Sequence, residues 1–240
     1  MTDTPSFRSD VTVELVKHSA SDTDVLWAAR VSTAGEKSLE EISKDPERSK
    51  GLINFLMRDR HGSPFEHNSM TFFISAPIFV FREFHRHRVG WSYNEESGRY
   101  RELRPVFYVP GKDRKLAQRG RPGKYEFVDG TPEQHELVGK VLEDSYRQSY
   151  AAYQEMLRAG VAREVARAAL PVGLFSSMYA TCNARSLMHF LGLRTRHEQA
   201  AVPSFPQREI EMIGERMEEE WARLMPLTHA AFNANGRVAP

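Results

Sequence analysis

Residues 86–100, RHRVGWSYNEESGRY, set Arg86, Arg88 and Arg99 beside His87, two serines, Asn94, Glu95 and Glu96, interleaved with Trp91, Tyr93 and Tyr100. A guanidinium is a planar fork of donors that meets phosphate or carboxylate oxygens in pairs. Three of them in one short segment point to an anionic ligand. Ser92, Asn94 and Ser97 add neutral hydrogen-bonding groups, and Gly98 allows a close approach of the backbone. The run sits in a wider basic stretch, since residues 82–124 hold twelve Lys or Arg against five Asp or Glu. Solvated charges on a helix end and loop would share that composition, but not the serines, amide and glycine packed into the same fifteen positions.

A second polar cluster lies in the C-terminal half. Arg167 occurs in ARAALP, and CNARSLMHFLGLR carries Asn183, Arg185, His189 and Arg194 around an apolar framework of leucines, Met188 and Phe190. Arg185 and His189 are one helical turn apart and share a face. By itself this is an ordinary amphipathic helix; together with the first cluster it suggests a second wall of one anionic site.

Other chemistries fit less well. His61, His67, His85 and His87 fall near Glu66, yet His85 and His87 are two apart, wrong for one helix face, and flanking guanidiniums repel a divalent cation, so no metal site is expected. No serine stands in a Gly-x-Ser-x-Gly elbow, and neither a phosphate loop of the Walker kind nor a Gly-x-Gly-x-x-Gly fingerprint occurs. The single cysteine, Cys182, excludes an intramolecular disulfide and a cysteine-rich cluster; within LFSSMYATC it reads as a buried structural thiol.

The elements that must position these groups follow from periodicity. The chain has 240 residues, 40% of them hydrophobic, and a formal net charge of +1. It is long enough for a real core, and near-neutrality disfavours a nucleic-acid partner, so any basic site must be local. The N-terminus lacks the basic start and apolar run of a signal peptide, and no apolar stretch approaches a membrane span. A cytoplasmic protein without membrane association is expected. Strands are predicted at 11–16, 68–77 and 173–182, and helices at 23–32, in one or two pieces over 37–61, at 77–88, 131–160, 161–170, 183–194 and 205–225. Residues 109–130 read as a basic surface loop. With no repeat and no interdomain linker, residues 1–240 form a single α+β (mixed α/β) domain.

At this point the sequence resembles the flavin-dependent thymidylate synthases, whose mark is an Arg-His-Arg triplet followed by a serine, then x-Arg. Here Arg86-His87-Arg88 precedes Ser97-Gly98-Arg99 by eight residues. The similarity also takes in RVS at 30–32, HGSPFEH at 61–67, API at 76–78, ARxxLP at 166–171 and NARSLMHFLGLR at 183–194. The resemblance implies a mixed central sheet flanked by helices, a homotetramer with active sites at subunit interfaces, and reductive methylation of dUMP to dTMP. Methylenetetrahydrofolate would supply the carbon, and NADPH would reduce a bound FAD. Carried over by motif, Ser63, Glu66, Arg86, His87, Arg88, Glu95, Asn183, Arg185 and His189 would line the flavin. Glu83, Arg86, Ser97, Gly98, Arg99, Arg167 and Arg194 would hold the nucleotide, with Arg194 at the uracil ring as the catalytic group. The rival is an RNA- or nucleotide-binding module using the basic region 82–124, with Trp91, Tyr93 and Tyr100 as stacking platforms.

Overall fold

The Asp45 carboxylate accepts hydrogen bonds from the N–H groups of Glu47 and Arg48, and Pro46 occupies the first helical position, so a helix begins there. Similar local rules set the other elements in the computed structural model, which describes residues 4–38, 45–121 and 124–240. In chain order they are β1 (Ser6–Arg8), β2 (Thr12–Ser19), α1 (Asp22–Ala34), α2 (Pro46–Arg58), β3 (Ser69–Pro77), α3 (Ile78–Phe84), β4 (Trp91–Glu95) and β5 (Val106–Tyr108). There follow β6 (Ala117–Arg121), β7 (Lys124–Val128), α4 (Pro132–Arg158), α5 (Arg163–Ala166), β8 (Phe175–Cys182), α6 (Ala184–Arg194), α7 (Arg208–Leu224) and α8 (Pro226–Ala234). Part of the helix predicted over 37–61, residues 39–44, lies outside the described residues.

The chain packs as two compact units, one drawn from 1–11, 75–82 and 95–177, the other from 12–74, 83–94 and 178–240. Neither is a contiguous stretch, so no linker divides the sequence into consecutive domains.

In the first unit β1 pairs in parallel with β5, Phe7 opposite Phe107. The long helix α4 starts where Thr131 accepts from the Gln134 N–H, and its Tyr146, Tyr150 and Tyr153, at spacings of four and three, are buried against Phe107, Leu103 and Leu174. The Phe107 and Tyr146 rings stack with centroids 4.8 Å apart.

The second unit is built on a four-stranded sheet in the order β2-β3-β8-β4, to which it contributes β3 up to Ile74 and β8 from Met178. Alternation along β3 sends Met70, Phe72 and Ile74 inward, all fully buried. Leu187, Phe190 and Leu191 of α6 and Ile213, Met217 and Trp221 of α7 are buried in the same unit. Cys182 is buried there, which pushes its thiol well up from the ordinary value, as a structural cysteine requires.

Several expectations are corrected. The helix predicted over 77–88 ends at Phe84, and Pro77 closes β3. Bonds from the Arg86 N–H to the Glu83 carbonyl and from the His87 N–H to the Phe84 carbonyl tighten the exit, so the Arg-His-Arg triplet leaves the helix. Trp91 and Tyr93 then stack on each other at 5.7 Å within β4, a strand that charge density had hidden. The basic segment 109–130 is not a loop throughout, because β6 and β7 form an antiparallel hairpin with Arg119 opposite Glu126. Periodicity missed it because β6, AQRGR, carries no apolar row and the alternation in β7, KYEFV, spans only five residues. The helix predicted over 161–170 stops at Ala166 and continues as a 3-10 turn, because Leu170 before Pro171 is held extended. Finally, Pro226 starts α8 as its first helical residue.

Candidate active site

Three groups of the predicted residues come together, two of them in the second unit. The first surrounds the N-terminus of α6. Asn183 caps that helix through Oδ1, which accepts from the Ser186 N–H at 2.9 Å, while Asn68 accepts from the Ala184 N–H at 2.8 Å and donates to the Phe65 carbonyl at 3.0 Å. Asn68 thereby fixes the 3-10 turn Ser63–Glu66 beside α6. Its role was invisible in sequence, where a lone Asn before a strand carries no signal. Across this junction Arg185 donates from NH1 to Glu66 Oε1 at 2.5 Å and from Nε to the Pro240 carbonyl at 2.6 Å.

A cavity of about 470 Å³ opens here, lined by Glu66, His87, Arg88, Trp91, Asn183, Arg185 and His189, among others. Gly90, also on its wall, has a φ of +69°, and a Cβ there would collide with Ser186 Oγ. Only glycine accommodates both that conformation and that approach. Ser186 in turn donates to the Val89 carbonyl at 2.9 Å, tying the loop after the triplet to α6. Burial, followed by the charge of Arg185, lowers the His189 pKa. His87 is lowered to about 4, by burial first and then by Arg194 and His189, not by the arginines beside it in sequence. The charges on the cavity wall are therefore those of Arg88, Arg185 and Glu66, while both imidazoles are neutral donors or acceptors near pH 7. Ser63 is exposed at the start of the 3-10 turn, and Arg86 and Arg88 are exposed with no side-chain partner among the described residues.

The second group is a chain of three side chains. Arg194, the last residue of α6, donates from NH1 to Glu83 Oε2 at 2.7 Å and from Nε to His87 Nε2 at 3.1 Å. The Arg194 side chain is 16% exposed, so the pair sits in a partly desolvated setting. Burial raises the Glu83 pKa and Glu209 adds to it, against the pull of Arg194.

The third group lies in the first unit. Ser97 Oγ accepts from the Arg99 N–H at 3.3 Å, and Arg99 pairs with Glu164 at 3.0 Å. Gly98 is buried: a Cβ on it would come 2.8 Å from Leu103 and 3.3 Å from Arg167 Cδ, so its absence lets Arg167 lie alongside. Arg167 is exposed and has no side-chain partner among the described residues. Glu164 was missed in sequence, since an acid in a short helix has no distinguishing neighbour. Glu95, placed with the flavin residues, is an exposed residue at the end of β4 in this same unit and does not line the cavity.

The histidines read against metal binding each meet an aromatic ring: His61 stacks on Phe55, His67 meets Trp27, His85 meets Tyr93 and His87 meets Phe190. Trp91 and Tyr93, the stacking platforms of the rival RNA-binding module, pack on Phe84, and Tyr93 donates to the His87 carbonyl at 2.8 Å. Of the three, Tyr100 is 79% exposed, with the Arg99 guanidinium 5.8 Å from its ring centre.

A mixed α/β protein with a cavity lined by guanidiniums and neutral histidines, and a half-buried Arg-Glu-His chain, has groups that suit an anionic ligand. The chain belongs to the flavin-dependent thymidylate synthases: the family model described as thymidylate synthase complementing protein matches residues 14–227. It is 84% identical to a flavin-dependent thymidylate synthase of Streptomyces avermitilis, with all of both chains covered. Among solved structures it is similar to the UMP/dUMP methylase PolB of Streptomyces cacaoi. The form bound with 5-Br dUMP matches at TM-score 0.92 and 56% identity over 98% of this chain and 99% of that one. The form bound with 5-Br UMP matches at 0.90 and 54%, over 99% and 100%.

Proposed function

We propose that this chain converts dUMP to dTMP in the cytoplasm by reductive methylation, with methylenetetrahydrofolate as carbon donor, NADPH as reductant and FAD as cofactor, in a homotetramer whose active sites lie at subunit interfaces. The observation that carries the proposal is the cavity wall itself, where Arg88 and Arg185 face neutral His87 and His189 around the helix start of α6. Two guanidiniums suit a pyrophosphate, uncharged imidazoles suit the heteroatoms of a flat ring, and Trp91 supplies an apolar wall. These residues fit a flavin nucleotide. FAD, when bound, supplies the redox chemistry; the protein supplies orientation and field.

In this assignment Ser63, Glu66, Arg86, His87, Arg88, Glu95, Asn183, Arg185 and His189 serve FAD. Ser97, Gly98, Arg99 and Arg167 take the nucleotide phosphate, with Arg86 shared and Glu83 beside the base. Arg194 faces the N3 to O2 edge of uracil. Carbon 5 of uracil becomes nucleophilic when electron density is pushed into the ring, and a fixed cation at that edge stabilises the resulting negative charge. A guanidinium already held by Glu83 and His87 need not reorganise to do so.

Titration with FAD should quench its fluorescence with saturation, and dTMP should form only when dUMP, methylenetetrahydrofolate and NADPH are all present. Light scattering should return a tetramer. Absence of FAD binding, or dTMP formation by a stable monomer, would sink the proposal.

A further inference from the structure

Glu83 has a place in the structure that substrate binding does not account for. Its carboxylate receives the Arg194 NH1 at 2.7 Å, and its carbonyl lies 3.5 Å from NH2, so both ends of the residue face one guanidinium. The same guanidinium donates through Nε to His87 Nε2 at 3.1 Å. A nitrogen that accepts carries no proton, so the neutral ring must carry its proton on Nδ1. That atom has no protein partner among the described residues and is not among the buried orphaned atoms, while His87 lines the cavity. We propose that Glu83 is a positioning residue that orients Arg194, and through Arg194 fixes His87 as the Nδ1–H tautomer, presenting a donor to the flavin cavity.

Three features support the relay. The contacts are partly enclosed, with Arg194 and Glu83 side chains 16% and 26% exposed, so solvent competes weakly for them. The imidazole is held edge-on to Phe190, 4.9 Å between centroids, which limits its rotation. The charged and titratable groups acting on the trio are Arg194 and His189 from α6 on His87, and Glu209 from α7 on Glu83. His87 is held low, to about 4, so the ring stays neutral at working pH and its tautomer matters. One chain of contacts thus joins the group that faces uracil to the wall that faces the flavin. Only the identity of those two ligands rests on the proposed function; the tautomer is a property of the free protein.

The test is nitrogen-15 NMR of histidine-labelled apoprotein between pH 5 and 8, with His87 assigned by its absence in His87→Gln. Wild type and Glu83→Gln, which keeps an acceptor for Arg194, should both show His87 neutral with Nε2 unprotonated throughout. Glu83→Ala should show mixed tautomers or a titration moved up toward the ordinary histidine range. Glu83→Asp, which keeps the charge but loses reach, should do the same and serves if the alanine variant does not fold. FAD binding measured by fluorescence should weaken about five-fold in the alanine or aspartate variant, the scale of one neutral hydrogen bond, and recover in Glu83→Gln. A His87 spectrum unchanged in folded Glu83→Ala or Glu83→Asp overturns the inference, as does a Glu83→Gln spectrum disturbed as much as those variants. Failure of wild type to make dTMP would refute the proposed reaction and leave the tautomer result standing.

Discussion

Arg185 and Glu66 are 119 residues apart in sequence and bonded at 2.5 Å in the fold, joining the 3-10 turn after α2 to the first turn of α6. Their side chains are 37% and 45% exposed, and pairs that open to solvent contribute only about 0–1 kcal/mol. An anionic ligand can therefore take over the guanidinium at little cost to the fold. Arg185→Ala is expected to weaken FAD binding by about 2–3 kcal/mol, roughly 30- to 150-fold, while changing folding stability by less than about 1 kcal/mol. Fluorescence titration and denaturant melts check the two halves separately. Undiminished FAD affinity would remove Arg185 from the cofactor site.

Arg194 is expected to behave in the opposite way. Arg194→Ala should keep FAD bound, with at most a several-fold loss through His87, while dTMP formation falls about 30- to 1000-fold. That is the effect of losing roughly 2–4 kcal/mol of charge stabilisation in a partly dry site. Near-normal turnover in an FAD-loaded variant would reassign the residue to a structural role.

Ser97 reads as a binding group and not as a nucleophile. Its hydroxyl accepts from the Arg99 N–H, and no histidine or carboxylate is bonded to it among the described residues. A serine without a base is a poor nucleophile. Ser97→Ala should weaken dUMP binding by about 1–2 kcal/mol and leave measurable dTMP formation at saturating dUMP. Complete loss of chemistry in a folded, FAD-loaded and dUMP-saturated variant would restore the nucleophile.

Acid should unfold the second unit through two groups in successive pH windows. His87 is lowered from 6.5 to about 4, so the unfolded chain takes up its proton first and stability falls as pH drops from 6.5 toward 4. For Glu218 burial raises the pKa, but hydrogen bonds from Arg237 and His229 outweigh it and bring the carboxyl from 4.5 down to about 2. Its stabilisation is present above 4.5 and is lost as pH falls toward 2, on the order of 3 kcal/mol. Glu218→Gln should lower stability at neutral pH by about 3–5 kcal/mol, because Arg237, 3% exposed, is left as a buried cation with a weaker partner. It should also flatten the acid limb below pH 4.5. Melting curves across pH 2–7 decide, and an unchanged acid limb would contradict the assignment.

Legibility in the sequence followed the range of the interactions. The cap of α6 by Asn183, the stripe of tyrosines on α4 and the inward row of β3 were readable because each depends on residues a few positions apart. Candidate anion-binding residues could be named by type and motif, since guanidiniums clustered with serines and glycine suit an anion wherever they fold. The end of α3 at Phe84 was not legible, because helical propensity in 85–88 is adequate and only tertiary packing draws the triplet out. Nor was the β6–β7 hairpin, since β6 reads AQRGR with no apolar row and the alternation of KYEFV in β7 is too short to mark a strand by itself.

The sequence by itself determined where the long helices and the apolar strands form and which side chains can meet an anion, because caps, periodicity and the donor geometry of arginine are local properties. The tertiary structure decided what each of those side chains does. Glu83 and His87 are bound to Arg194 across more than a hundred residues, and His87 is held neutral chiefly by burial, although arginines flank it in sequence. Desolvation and long-range hydrogen bonds depend on what the fold brings alongside a residue, and no spacing within one segment encodes them.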